Sequence, residues 1–182
     1  MRGKHSVLEE RMHRHMDELK WLYMELYDSP AHFEELCAGI REFYEKRKPA
    51  LKRQDKKREE DPAWFKRNNM LGMMMYAGNF GTTLSGVGER LDYVKQCNVN
   101  YLHLMPLLES PAGRSDGGYA VADFRKVQEE LGTVGDLEDL PDKCRRRGIS
   151  LCLDFVMNHT SEDHAWAKRA RNGEKEYMDR YF

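Results

Sequence analysis

Two stretches of the chain hold most of the side chains that could do chemistry. One is Ser110-Pro111-Ala112-Gly113-Arg114-Ser115-Asp116-Gly117-Gly118-Tyr119. The paired glycines let the backbone turn sharply, so a carboxylate (Asp116) and an aromatic ring (Tyr119) can face one space. The other is Asp154-Phe155-Val156-Met157-Asn158-His159-Thr160-Ser161. Read as the end of a strand, it puts Asp154, Val156 and Asn158 on one side and His159 in the turn beyond. A carboxylate, an amide, an imidazole and an aromatic face are the groups that grip a sugar: fixed donors and acceptors for hydroxyls, and a ring for the apolar sugar face. Residue types alone also fit a plain Asp-Gly turn and a satisfied Asn-His loop.

The elements that must position these residues follow from periodicity. From about residue 7 to 70 the pattern is helical. Met12, Met16, Leu19, Tyr23 and Leu26 share one face of a long helix. Ser29-Pro30 opens a second helix with the stripe Phe33, Leu36, Cys37, Ile40 and Phe43, and Asp61-Pro62 repeats the start signal before Trp64 and Phe65. After residue 70 the period changes. Leu71 to Tyr76 reads as a buried strand followed by a glycine-rich loop, Ala77 to Gly81, and then a helix over roughly Leu84 to Gln96. Tyr101 to Met105 is a second strand stopped by Pro106. A long polar loop leads to Thr133-Val134-Gly135-Asp136, a capping-box start for a helix that Gly148 closes, and Ile149 to Phe155 is a third strand. Pro141 inside that helix predicts a break, with Asp139 as a fresh cap. Apolar strands alternating with helices are the pattern of right-handed βαβ units in a parallel sheet. Ligands in such folds bind at the carboxyl ends of the strands, where both stretches lie.

Composition narrows the function classes. The 30 basic and 31 acidic residues nearly cancel, so no overall field draws the chain to nucleic acid or to an acidic membrane. The basic runs within Arg41 to Glu60 interleave with Glu42, Glu45, Asp55, Glu59 and Glu60, which reads as a solvated, ion-paired helix face. No apolar run approaches a membrane span, and the N-terminus lacks the apolar core of a signal peptide. Cys37, Cys97, Cys144 and Cys152 are widely spaced and read as reduced thiols, so a cytoplasmic location is expected.

Two other functions are weighed against the sugar site. Gly81, Gly86 and Gly88 follow a strand, with Glu109 further on, but the dinucleotide spacing Gly-x-Gly-x-x-Gly is absent. His13 and His15, or His159 and His164, lack the spacing of four that sets two metal ligands on one helical face.

Four ordered segments, Tyr101-Leu102-His103-Leu104-Met105-Pro106-Leu107, Ser115-Asp116-Gly117-Gly118-Tyr119, Leu131-Gly132-Thr133 and Asp154 to Ser161, resemble successive motifs of the alpha-amylase superfamily, glycoside hydrolase family 13. Asp61-Pro62-Ala63-Trp64-Phe65, Met70-Leu71-Gly72 and the helical N-terminal part resemble the amylosucrases within it. The resemblance implies an α/β fold, a helical N-terminal domain over 1–70 followed over 71–182 by the first three strands of a (β/α)8 barrel that is incomplete in this chain. It implies a sucrose-using glucosyltransferase that acts on α-glucan through a covalent glucosyl-enzyme, with hydrolysis of sucrose or α-glucans as the alternative. Asp116 would form the floor of the glucosyl pocket, Tyr119 would stack on the ring and His159 would bind a hydroxyl, with Asp154 and Asn158 supporting them. The position of Asn158 belongs to a metal site in calcium-dependent amylases, but the resemblance is to the calcium-free branch, so no metal and no cofactor are expected. Val127-Gln128-Glu129 departs from the family pattern, in which a proline follows the valine.

Retaining chemistry needs two carboxyls ~5–5.5 Å apart. The resemblance puts the nucleophile after a fourth strand in a Gly-x-Arg-x-Asp context, the acid/base after a fifth and a further aspartate after a seventh. The chain is expected to hold no such nucleophile and no substitute pair, and so to be inactive alone. A non-catalytic remnant or binding module, associating through the open edges of its sheet, is the other outcome.

Overall fold

The computed structural model describes residues 7–181. The chain divides into two units, Met1–Asp61 and Pro62–Phe182.

The first unit holds α1 (Val7–Tyr27), α2 (Pro30–Lys46) and α3 (Pro49–Glu60). Leu8 and Met12 of α1 bury against Phe33 and Cys37 of α2, with Met16, Leu19, Tyr23, Ile40 and Tyr44 packed around them. The stripe on α2 is therefore Phe33, Cys37, Ile40 and Tyr44, the i, i+4, i+7, i+11 rhythm of one helical face. Leu36 and Phe43, one position off that rhythm, are exposed, as is Leu26 of α1. Asp61-Pro62 opens only a single 3-10 turn, Trp64–Lys66; the third α-helix starts earlier, at Pro49. That helix buries nothing, and ion pairs fasten it: Arg47 grips Asp55 at 2.6 and 2.8 Å, and Arg11 reaches Glu59 at 2.8 Å. Within the basic run of 41–60, Arg47 is thus tied to Asp55 and Lys46 to Glu42.

The second unit is built on a parallel sheet of β1 (Gly72–Met75), β2 (Tyr101–Leu104) and β5 (Ser150–Leu153) in the order β1-β2-β5. Paired positions run Met73, Leu102, Leu151 and Met74, His103, Cys152. Alternation turns the first set toward the helices. There Leu102 and Leu104 lie in one core with Leu84, Val87, Leu91, Val94, Leu140, Cys144 and Ile149. The second set faces away, and Met74 is 64% exposed.

The connections differ from expectation in four places. Ala77–Gly81, expected as loop, is a short helix, α4, and the expected single helix is two, α5 (Leu84–Glu89) and α6 (Leu91–Gln96). The cause is a close backbone crossing. A Cβ on Gly86 would fall 2.0 Å from the Gly81 carbonyl oxygen, so these glycines serve packing and not a phosphate loop. The polar loop after β2 holds an antiparallel ribbon, β3 (Leu108–Glu109) with β4 (Asp123–Val127). Gln128, at the departure from the family pattern, fixes its base: the backbone N–H donates to Leu107 O at 2.9 Å and the side-chain amide reaches Pro106 O and Leu108 O.

Helix α7 (Val134–Arg146) begins with the expected capping box. The Asp136 N–H donates to Thr133 Oγ1 at 3.2 Å, while the Thr133 hydroxyl at 2.6 Å and the Thr133 N–H at 2.9 Å donate to Asp136 Oδ2 and hold that carboxyl below its usual range. The helix runs unbroken through Pro141, so no restart occurs at Asp139. Leu140 and Cys144, both wholly buried on one face, hold the helix on either side of the proline. It ends in a Schellman motif: the Gly148 N–H donates to Arg145 O and the Ile149 N–H to Cys144 O, each at 3.0 Å. Short helices α8 (Ala165–Arg171) and α9 (Lys175–Met178) follow β5. Among the described residues no helix is long and apolar enough to cross a membrane.

Candidate functional site

The carboxyl ends of the three parallel strands carry the polar residues singled out above. Asp154 is the first residue past β5, whose ladder stops at Leu153, two residues short of the expected strand end at Phe155. Its carboxylate accepts two hydrogen bonds. The Tyr119 hydroxyl donates to Oδ2 at 2.8 Å, and His103 Nε2 lies 2.9 Å from Oδ1. The accepting carboxylate, with partial burial, pushes the Tyr119 phenol above its ordinary value, so the proton stays on Tyr119.

His159 reaches the same group from the other side. Its Nε2 is 3.2 Å from the Tyr119 carbonyl oxygen, and Asn158 Nδ2 is 3.2 Å from its Nδ1. An amide N–H donating to Nδ1 leaves the proton on Nε2, where the carbonyl accepts it. The two loops are also stitched by the Ser161 N–H, which donates to Val121 O at 2.8 Å. Arg114 ties them further out, pairing with Glu162 at 3.2 Å and with Asp163.

Tyr119, Asp154, Asn158 and His159 therefore form one connected cluster. Asp116 joins it through its backbone, accepting from the Tyr119 N–H at 3.2 Å. The Asp116 carboxylate is exposed and makes no side-chain hydrogen bond among the described residues. The turn between them requires glycine. Gly117 has φ +62°, and a Cβ there would fall 2.5 Å from the Tyr76 hydroxyl.

Sequence reasoning missed two members. His103 stood inside an apolar strand, where the signal was a polar ring at an alternate position. Tyr76 follows β1 and gave no signal by itself. In the opposite direction, Gly88-Glu89-Arg90-Leu91-Asp92 does have Gly-x-Arg-x-Asp spacing, against the expectation that the chain holds none. It spans α5 and α6, away from any strand end, and Arg147 holds the Asp92 carboxylate at 2.6 and 3.0 Å and keeps it below its usual range. Asp92 is thus committed to an ion pair.

Both Asp154 oxygens are engaged, Oδ1 by His103 and Oδ2 by Tyr119. Around Asp154 stand the exposed Asp116 carboxylate and the half-buried Tyr119 ring, together with the exposed His159 ring, whose two nitrogens face the Tyr119 carbonyl and the Asn158 amide. Among the described residues no group of three His, Cys, Asp or Glu side chains could hold a metal ion. A separate open groove of about 460 Å³ lies between Thr160–Glu162 and the helices α8 and α9.

Comparison with known proteins extends this geometry. The family profile described as alpha amylase, catalytic domain, matches residues 55–182. A trehalose synthase/amylase of Mycolicibacterium smegmatis is 46% identical over 99 residues, covering 54% of this chain and 16% of that protein. An oligo-1,6-glucosidase of Bacillus sp. strain F5 is 37% identical over 100 residues, covering 54% and 19%. Among solved structures, trehalose-6-phosphate hydrolase of Bacillus licheniformis superposes with a TM-score of 0.59 at 33% identity, covering 65% of this chain and 22% of that one. A variant of isomaltulose synthase from Erwinia rhapontici, in complex with its natural substrate sucrose, gives a TM-score of 0.56 at 31% identity, covering 63% and 22%. The chain spans about a fifth of the length of these relatives.

Proposed function

Because the chain belongs to the alpha-amylase family and carries the N-terminal part of its (β/α)8 fold, we propose that it supplies half of a glucosyl-binding pocket. The observation that carries this reading is the Tyr119–Asp154 hydrogen bond at 2.8 Å, which commits the phenol edge and leaves the ring face for the apolar side of a sugar. In this reading Asp116 holds hydroxyls at the pocket floor, His159 shares its Nε2 proton between the Tyr119 carbonyl and one hydroxyl, and Asp154 and Asn158 set the orientation of Tyr119 and His159. The domain division we propose is a helical domain over 1–70 and barrel over 71–182.

The finer assignment is to sucrose-using glucosyl transfer of the amylosucrase type, from sucrose to α-glucan. Its support is the motif set Asp61-Pro62-Ala63-Trp64-Phe65 and Ser115-Asp116-Gly117-Gly118-Tyr119. A hydrolytic or isomerising reaction on α-glucosides is the second reading, favoured by the likeness to an oligo-1,6-glucosidase and a trehalose synthase. In either case these 182 residues bind sugar without breaking its bond, since Asp92 and Asp154 are both committed to partners.

The test is glucose titration of the chain, read on the assigned backbone amide resonances of Gly118, Ala120 and His159, which parent and variants share. Tyr119→Phe keeps the ring but loses the bond to Asp154 that orients it and should bind roughly tenfold more weakly than the parent, whereas Tyr119→Ala should abolish the shifts. Equal binding by parent and Tyr119→Ala sinks the pocket. Release of fructose from sucrose by the pure chain overturns the claim that it binds without turnover.

A further inference from the structure

We propose that His103 is the positioning residue of this site: it holds the Asp154 carboxylate in the one orientation that accepts the Tyr119 hydroxyl. Three features of the geometry carry the assignment. His103 lies on the central strand and is paired on both sides, with Met74 of β1 and Cys152 of β5. Asp154 stands one residue beyond the ladder, and Tyr119 stands in a loop. Of the three, only His103 has its backbone fixed by neighbouring strands, so orientation passes from His103 to Asp154 to Tyr119.

The second feature is the geometry of the bonds. His103 Nε2 is 2.9 Å from Oδ1, and Tyr119 Oη is 2.8 Å from Oδ2. Each carboxylate oxygen has its own donor, so rotation about the Asp154 side chain breaks both bonds together. Hydrogen bonds to an ionised carboxylate are also the stronger kind. The third is partial shelter: the His103 and Asp154 side chains are 26% and 22% exposed, so water competes with the pair only in part.

Removing the imidazole has two opposite consequences, according to its role. If His103 merely shares the carboxylate with Tyr119, its loss strengthens the remaining bond and pushes the Tyr119 phenol further up. If His103 positions the carboxylate, its loss frees Asp154 to turn toward water, and Tyr119 falls back toward an ordinary phenol.

The experiment uses the whole chain labelled with 13Cζ-tyrosine and 15N-histidine, with Tyr119→Phe and His103→Gln spectra for assignment. In the parent, His103 Nε2 must carry a proton; a ring protonated on Nδ1 alone cannot donate to Asp154 and overturns the proposal. In His103→Leu, the Tyr119 titration should move down toward the ordinary tyrosine value. His103→Gln, whose amide nitrogen reaches as far as Nε2, should restore it. His103→Asn is too short and should behave like the leucine variant, which keeps the test open if His103→Leu does not fold. A Tyr119 titration that stays or rises in a folded His103→Leu or His103→Asn chain overturns the proposal.

The last arm rests on the sugar-pocket reading. Glucose affinity should fall roughly tenfold in His103→Leu or His103→Asn and recover in His103→Gln. If the parent binds no glucose, the pocket reading fails while the titration result still decides the role of His103.

Discussion

Replacing Gly86 with alanine tests whether the crossing of α4 and α5 supports the strand ends. An added Cβ would lie 2.0 Å from the Gly81 carbonyl oxygen and 3.0 Å from its carbonyl carbon, both backbone atoms. Ordinary contact requires more than an ångström of further separation. Gly81 cannot retreat freely, because its own Cβ position lies 2.3 Å from the Val87 nitrogen. Overpacking a core costs typically ~1–3 kcal/mol. With backbone on both sides, about 3 kcal/mol or more is expected. The neighbouring Gly88 is the control: a Cβ there meets Lys143 Cδ at 3.2 Å, the flexible part of a side chain that can move aside. Amide hydrogen exchange of Leu102 and Leu104, buried in the central strand, reads the stability of this unit without mixing in the helical one. Their protection should drop roughly a hundredfold in Gly86→Ala and little in Gly88→Ala. Because Tyr76 immediately precedes α4 and its hydroxyl lies beside Gly117, the Tyr119 ring resonances should shift as well. Protection within threefold of the parent, or equal losses in the two variants, would refute the close-crossing argument.

Three further outcomes follow from burial, charge and topology. Burial pushes the Cys144 thiol up to about 11. The folded state therefore holds its proton longer than the unfolded one, and stability should decline as pH rises from about 9 toward 11; a Cys144→Ala chain with the same alkaline decline would contradict this. Burial lowers His164, whose Nδ1 accepts from the Trp166 N–H at 3.1 Å to cap α8. The unfolded chain then takes up a proton first as pH falls below the ordinary histidine value of ~6.5. Protection of the α8 amides should weaken there, and His164→Asn should flatten the dependence. Finally, among the described residues β1 and β5 each pair on one side only, so sedimentation should show concentration-dependent association, and a species that stays monomeric at every concentration counts against it.

The parts of the fold that sequence made legible are those with a short-range physical signature. The change from helical to strand-helix period near residue 70, the Thr133 capping box and the Gly148 terminus each rest on contacts within a few residues. What stayed hidden depends on partners distant in sequence. Whether Ala77–Gly81 is loop or helix is decided by α5 crossing it, and whether Phe43 or Tyr44 is buried is decided by where α1 lies. The ribbon of β3 and β4 was invisible because its pairing, Leu108 with Val127 and Glu109 with Asp123, contains a register shift and little apolar alternation. At the site, Tyr119, Asp154, Asn158 and His159 could be named from residue type and place. The hydrogen bond from His103 to Asp154 spans 51 positions, and no local pattern announces it.

The same alternation that builds the core also aims the site. Burying Leu102 and Leu104 among α5, α6 and α7 forces Tyr101 and His103 onto the opposite face, since neighbouring side chains on a strand point to opposite sides. Parallel pairing then sets His103 level with Cys152, and Asp154, two residues further on, emerges on the side His103 faces. A slip of one residue in β5 would bury Cys152 and turn Asp154 away from His103. The burial of Leu151 and Ile149 against the helices opposes such a slip. The polar contact at the strand ends is therefore specified mainly by apolar residues that never touch it. Substitutions at Leu102, Leu104 or Ile149 should for that reason disturb the Tyr119–Asp154 geometry, while the exposed Met74, at the same level as His103, should matter far less.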